Sequence, residues 1–255
     1  MYEFNPVKTK DACVQWIRDY FTENGKGCHA VIGISGGKDS SVTAALCAEA
    51  LGKNQVLGVL MPHGNQADIE DSYQLCRHLG IDYMTIDIGT AFRSIKHQIK
   101  AEMGDRWSAQ SGINLGPRLR MSTLYAAAQT IRGRVANTCN LSEDWVGYST
   151  LFGDLAGDFS PLGLLTVEEV KRIGLEALSL PKNLVEKTPA DGLCGKTDED
   201  NLGFTYQTED DYLRRGIVPE PAVKERIDQL HKQSAFKREV IRIPVFDPQI
   251  PFITG

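Results

Sequence analysis

The run from Val31 to Ser41 constrains this chain more than any other stretch. An apolar segment, Val31-Ile32-Gly33-Ile34, feeds Ser35-Gly36-Gly37-Lys38-Asp39-Ser40-Ser41. The following residues, Val42 to Leu51, read as a helix stopped by Gly52. Strand, glycine turn and helix in that order aim free backbone N–H groups and the positive end of a helix dipole at one spot, which suits a phosphate or pyrophosphate. Gly36 and Gly37 allow a tight turn and close approach of a ligand, and Ser35, Ser40 and Ser41 supply hydroxyls. Asp39 alone would repel phosphate, so its presence implies a bridging cation, Mg²⁺. The string is not a Walker A loop, because Asp39 stands where the hydroxyl residue after lysine belongs. Nor is it Gly-x-Gly-x-x-Gly, because its glycines are adjacent. An ordinary capped strand-to-helix turn is the structural alternative, and the length of the string argues against it.

The same alternation continues. Lys10 to Phe21 carries Val14, Ile17, Tyr20 and Phe21 at helical spacing. Strands are expected at 55–61, 82–88 and 134–138, and helices at 67–79, 91–103, 118–132, 166–177 and 220–233. Strands alternating with helices of this length indicate βαβ units and a parallel sheet flanked by helices, with the ligand beyond the carboxyl ends of the strands. Residues 104–116 and 188–203 read as polar, glycine-containing loops. Residues 241–253 hold three prolines and read as an extended tail.

Composition excludes several classes. The net charge of −5 is a poor match to broad nucleic-acid binding. No Cys-x-x-Cys pair or zinc-spaced Cys/His cluster occurs among the six cysteines, and Cys47 falls inside the helix after the glycine turn. No apolar run approaches a membrane span, and residues 1–6 lack the pattern of a secretory leader. The expectation is a reduced, cytoplasmic protein of one domain spanning 1–255, with the tail at 240–255.

Further strings carry chemistry: Asn114-Leu115-Gly116-Pro117-Arg118-Leu119-Arg120-Met121, Thr138-Cys139-Asn140-Leu141-Ser142-Glu143, Gly147-Tyr148-Ser149-Thr150, and Gly153-Asp154-Leu155-Ala156-Gly157-Asp158-Phe159-Ser160-Pro161-Leu162. Lys187-Thr188-Pro189 and Asp198-Glu199-Asp200-Asn201-Leu202-Gly203-Phe204-Thr205-Tyr206 follow. Singly, each has a bland reading: Asp154 and Asp158 as turn and cap residues, Glu143 as a solvated carboxylate, Tyr148 and Phe159 as core.

The glycine turn resembles the pyrophosphatase loop of the N-type ATP pyrophosphatases, which cleave ATP between the α and β phosphates and adenylate a substrate. Taken together and in order, the strings from about residue 30 to 215 resemble ammonia-dependent NAD synthetase. That family shows Ser-Gly-Gly-x-Asp-Ser, Asn-x-x-x-Arg-x-Arg-Met, Thr-x-Asn-x-x-Glu, Gly-[Tyr/Phe]-x-Thr, Gly-Asp-x-x-x-Asp-x-x-Pro-[Leu/Ile], Lys-x-Pro and Asp-Glu-x-x-Leu-Gly-x-x-Tyr. The resemblance implies an adenine nucleotide alpha hydrolase-like (Rossmann-like) three-layer α/β sandwich and a homodimer. It also implies conversion of deamido-NAD⁺, ATP and ammonia into NAD⁺, AMP and pyrophosphate with Mg²⁺. By the same resemblance Gly33, Ile34, Ser35, Gly36, Gly37, Lys38, Asp39, Ser40, Thr138 and Lys187 face ATP, and Asp39 and Glu143 hold the metal. Arg118, Tyr148, Asp158 and Lys237 then face deamido-NAD⁺, with Tyr148 stacked on the nicotinate ring.

That reaction assigns work to the carboxylates. A carboxylate acylates poorly until attack on the α-phosphorus turns it into an acyl adenylate with AMP as leaving group. Ammonia then attacks the acyl carbon, and because it arrives mostly as ammonium, a carboxylate must take a proton. Asp154 is the candidate, with Asp158 beside the pyridinium ring. Free ammonia rather than glutamine is the expected nitrogen source, since the pattern occupies the chain and leaves little for a glutaminase.

Some positions depart from the family. Leu151 and Val167 stand where lysine is frequent, Ala190 where threonine is common, and Phe236 where histidine precedes Lys237. Lys38 and Lys187 are the candidates to supply the missing charge, and residues 188–203, with Lys196 and Thr197, are expected to close as a lid. The alternatives are another adenylating ATP pyrophosphatase, or a nucleotide-binding homologue with weak or lost catalysis.

Overall fold

The computed structural model describes residues 2–187, 197–240 and 242–253. Its first half alternates helix and strand: α1 (Pro6–Asn24), β1 (His29–Gly33), α2 (Lys38–Leu51), β2 (Val56–Leu60), α3 (Ile69–Leu79), β3 (Asp82–Thr85), α4 (Gly89–Met103), α5 (Ala109–Thr130) and β4 (Gly133–Val135). The second half is helical: α6 (Leu141–Trp145), α7 (Val167–Arg172), α8 (Lys182–Val185), α9 (Asp198–Leu202), α10 (Tyr206–Asp210), α11 (Pro221–Gln233) and α12 (Ala235–Val240). One wide π-helical turn extends α7 through Ala177, and another extends α10 through Arg215.

The sheet is parallel, in the order β3-β2-β1-β4. Its central strands read as unbroken apolar runs because both faces are covered. On one face, Ile17, Tyr20 and Phe21 of α1 and Ala44, Leu46 and Cys47 of α2 pack with Ile32 and Leu60. On the other, Met121, Leu124 and Ala128 of α5 meet Val31, Leu57 and Val59. A third cluster joins Val146, Val167, Phe204, Tyr206, Tyr212 and Ile227 beside the sheet. Among the described residues no helix is long and apolar enough to cross a membrane.

Two expected loops are corrected. Residues 104–116 form a short 3₁₀ turn and then the first two turns of α5, which runs straight through Pro117. An interior proline removes a helical hydrogen bond. Here it gains a tertiary partner, since Gly153 approaches so closely that a Cβ there would stand 2.8 Å from Pro117 Cβ. Ser108 caps the new start through the Ser111 N–H. In the expected lid, Asp198–Leu202 is a helix, because Thr197 and Asp200 form a capping box. Residues 188–196, with Ala190 and Lys196, lie outside the described residues.

Glu209, on α10, is buried, and both its carboxyl oxygens lack a hydrogen-bond partner among the described residues. Burial, then Asp210 and Glu143, push its pKa well above the ordinary 4.5. The folded state therefore holds the proton more tightly than the unfolded chain, and stability falls as pH climbs from about 4.5 toward the folded value. Glu209→Met should remove that slope. The variant should gain roughly 1–3 kcal/mol in urea unfolding at pH 8 and progressively less at pH 5. A variant no more stable than the parent at pH 8 would mean the carboxyl has a stabilising partner.

Candidate active site

Because β1 lies between β2 and β4, the chain's lateral progress reverses there, and a crevice opens outside the carboxyl ends of β1 and β4. The glycine turn enters it from β1, and residues 136–145 enter from β4.

Backbone geometry explains one glycine strictly. Gly36 has φ 77°, and a Cβ on it would lie 2.7 Å from Asp71 Cβ and 2.9 Å from the Ser72 nitrogen, so no side chain fits. Gly37 is extended and precedes α2, whose first residues are Lys38 and Asp39. The serines fold the turn. Ser40 Oγ accepts from the Ser35 N–H at 3.3 Å, Ser35 Oγ accepts from the Gly37 N–H at 3.3 Å, and the Ser40 and Ser41 hydroxyls donate to the Gly37 carbonyl. The strand end is held as well: the Ile34 N–H donates to the Val59 carbonyl, and the Ser72 hydroxyl to the Ile34 carbonyl. Gly33 is the last residue of β1.

The carboxylates expected to hold a metal meet around one cation. Lys38 is 3% exposed, and its Nζ lies 2.7 Å from Asp39 Oδ2 and 3.6 Å from Glu143 Oε1. Burial alone would lower the lysine pKa, but Asp39 and Glu143 outweigh it and the net shift is upward. Burial and Asp39 push the Glu143 carboxyl upward, with Lys38 opposing. Asn140, which sequence reasoning did not single out as a site residue, donates from Nδ2 to Asp39 Oδ1 at 3.0 Å. Its Oδ1 accepts from the Glu143 N–H, capping α6. Glu143 therefore sits in the first turn of a short helix, beyond the strand expected at 134–138. Thr138 lies just before this cap.

The residues expected at deamido-NAD⁺ separate into two environments. The Asp154 carboxylate accepts from the Thr150 N–H at 3.0 Å, and burial raises its pKa against that bond. The Asn137 amide and the Cys139 thiol bond the Asp154 carbonyl, fixing the loop beneath it. Asp158 spends both oxygens internally, on the Val135 N–H at 2.8 Å and the Tyr125 hydroxyl at 3.3 Å. Tyr148 accepts from Asn201 Nδ2 through its hydroxyl at 3.0 Å, which brings α9 against the 147–150 segment. Arg118 is exposed and donates from Nε to the Leu151 carbonyl. Lys237 donates to the carbonyls of Gly147 and Ser149 at 2.7 and 2.5 Å, so it clamps the turn that carries Tyr148.

Lys187 lies beside the start of α3, with its Nζ 2.6 Å from both Asp68 and Asp71. Asp71 is the residue pressed against Gly36. Neither aspartate was singled out, because acidic residues at a helix start read as ordinary dipole complements. Val167 is buried in the third apolar cluster.

This layout has close counterparts among known proteins. A family model described as NAD synthase matches residues 9–241. The NH(3)-dependent NAD(+) synthetase of Methanocaldococcus jannaschii is 39% identical over 223 residues, covering 85% of this chain and 82% of that protein. Among solved structures, NMN synthetase from Francisella tularensis superposes with a TM-score of 0.85 at 34% identity, over 96% of this chain and 100% of that one. NH3-dependent NAD synthetase from Campylobacter jejuni gives 0.75 at 28%, over 94% and 99%.

Proposed function

Because the chain belongs to the NAD synthase family, we propose that the crevice outside β1 and β4 is its amide-forming centre. The chemistry is ATP-dependent amidation by ammonia, which gives NAD⁺, AMP and pyrophosphate through an acyl adenylate. The observation that carries the assignment of the centre is the gathering of Asp39 and Glu143, 104 positions apart in the chain, around one cation beside the glycine turn.

The residues have separable tasks. The glycine-turn N–H groups and the N-terminus of α2 receive the phosphates of ATP. Asp39, held by Asn140, and Glu143 would hold Mg²⁺; two carboxylates beside a phosphate site are the usual donor set for that ion. When bound, the ion supplies charge neutralisation at the phosphates and polarises the α-phosphorus. Tyr148, set by the Lys237 clamp, and Arg118 take the acceptor. The acceptor's carboxylate attacks the α-phosphorus and pyrophosphate leaves. Ammonia then attacks the acyl carbon and AMP leaves. Asp154 takes a proton from ammonium, and burial, by raising its pKa, makes it a better proton acceptor than an ordinary carboxylate. Asp158 supports the site from beneath, through β4 and Tyr125. We read residues 1–255 as one synthetase domain, working as a cytoplasmic homodimer.

A second acceptor is favoured by one finding, the closer superposition on an NMN synthetase than on an NAD synthetase. The same chemistry on nicotinate mononucleotide would yield NMN. The test is to incubate the pure protein with Mg·ATP and ammonium and offer each acceptor separately. AMP with NAD⁺ supports the first reading, and AMP with NMN alone supports the second. No AMP with either acceptor would defeat both.

A further inference from the structure

We propose that Lys38 is a built-in, displaceable counter-cation: its ammonium occupies the position between Asp39 and Glu143 in the free protein, keeps a divalent ion out until nucleotide arrives, and is then released toward the phosphates. The inference rests on the metal-site reading given above and goes beyond it, because it concerns which cation holds the carboxylates at rest.

Three observations carry it. First, the placement is built. Lys38 is the first residue of α2, and its side chain turns inward to 3% exposure, where a lysine is rarely found unless paired. The Tyr206 ring stands 5.9 Å from Nζ and walls the ammonium on another side. Second, the contact uses the atoms a metal would use. Nζ is 2.7 Å from Asp39 Oδ2, with the other Asp39 oxygen engaged by Asn140. A divalent ion approaching the same oxygen at about 2.1 Å cannot share that space with an ammonium. Third, among the described residues no three His, Cys, Asp or Glu side chains cluster closely enough to hold a metal ion. The remaining positions of an octahedral shell would therefore fall to phosphate oxygens and water, so the metal should come with the nucleotide.

Lysine is well suited to the exchange. Its charge is a point on a flexible four-carbon stem, so it can leave the carboxylates without moving α2. On release it carries one positive charge into a site that receives a polyphosphate. Val167, buried in an apolar cluster, places none there.

Binding of Mn²⁺, measured by electron paramagnetic resonance with and without the non-cleavable α,β-methylene analogue of ATP, tests the proposal. Without nucleotide, Lys38→Met should bind Mn²⁺ at least tenfold more tightly than the parent, and Glu143→Gln in the same background should cancel the gain. With the analogue present, the affinities of parent and Lys38→Met should converge. Lys38→Gln, which keeps a hydrogen-bond donor for Asp39, should repeat the result and replaces Lys38→Met if that variant does not fold. Equal affinities of parent and both variants without nucleotide, with the analogue still recruiting Mn²⁺, overturn the proposal and leave the metal site standing. If the analogue recruits no Mn²⁺ in any of these proteins, the metal-site reading fails as well.

Discussion

Asp39→Asn should leave a folded protein that has lost AMP formation by about a hundredfold or more, the scale of removing one strong electrostatic contact from a charged transition state. Asp39 Oδ1 is held by Asn140, and Oδ2 faces the cation position. Asparagine keeps the shape and loses the charge. It also offers an N–H₂ group where Lys38 or a metal expects an acceptor. Glu143→Gln should follow the same course, because Glu143 meets the same cation from α6. Single-turnover AMP release, with circular dichroism as the folding control, measures both. Near-parental rates in either variant would remove that residue from the metal site.

The second large effect concerns stability. Arg214→Met should cost about 3–5 kcal/mol, since it strips one partner from a fully buried ion pair. Arg214 is 1% exposed and Glu169 is 0% exposed; Nε and Nη2 of the arginine reach the two carboxylate oxygens at 2.8 and 3.0 Å. Arg214 also donates to the carbonyls of Leu164 and Ile250, tying α7, the π turn after α10 and the C-terminal segment together. Glu169 keeps the Tyr2 hydroxyl and the Thr166 N–H, so the fold should survive at low temperature. Urea midpoints should fall sharply; a loss under 1 kcal/mol would mean the pair is as well replaced by an apolar side chain as some buried pairs are.

What the sequence made legible was contiguous. The glycine turn, the alternation around it and the parallel sheet follow from local patterns: apolar runs bounded by Gly52, Pro62 and Gly80. The order of motifs named the family. Contacts between distant segments were not legible. Lys38 reads as an ATP-facing lysine of the glycine turn, and only folding brings it to Glu143. Lys237 reads as a ligand contact, yet its geometry is a clamp on the Tyr148 turn. Residues 104–116 read as a loop because they are polar and glycine-punctuated, and the packing of Gly153 on Pro117, just beyond them, overrides that propensity. The π turns after α7 and α10 carry no periodic signal of their own.

The most direct measurement follows one oxygen atom. An acceptor labelled with ¹⁸O at both carboxylate oxygens, amidated in a single turnover with Mg·ATP and ammonium, passes one carboxylate oxygen to phosphorus when the acyl adenylate forms. That oxygen stays with AMP when ammonia displaces it. The account predicts AMP and amide product in equal amounts, one ¹⁸O in each AMP and none in pyrophosphate. Unlabelled AMP, or ADP and phosphate in its place, would contradict the adenylate chemistry assigned to this site.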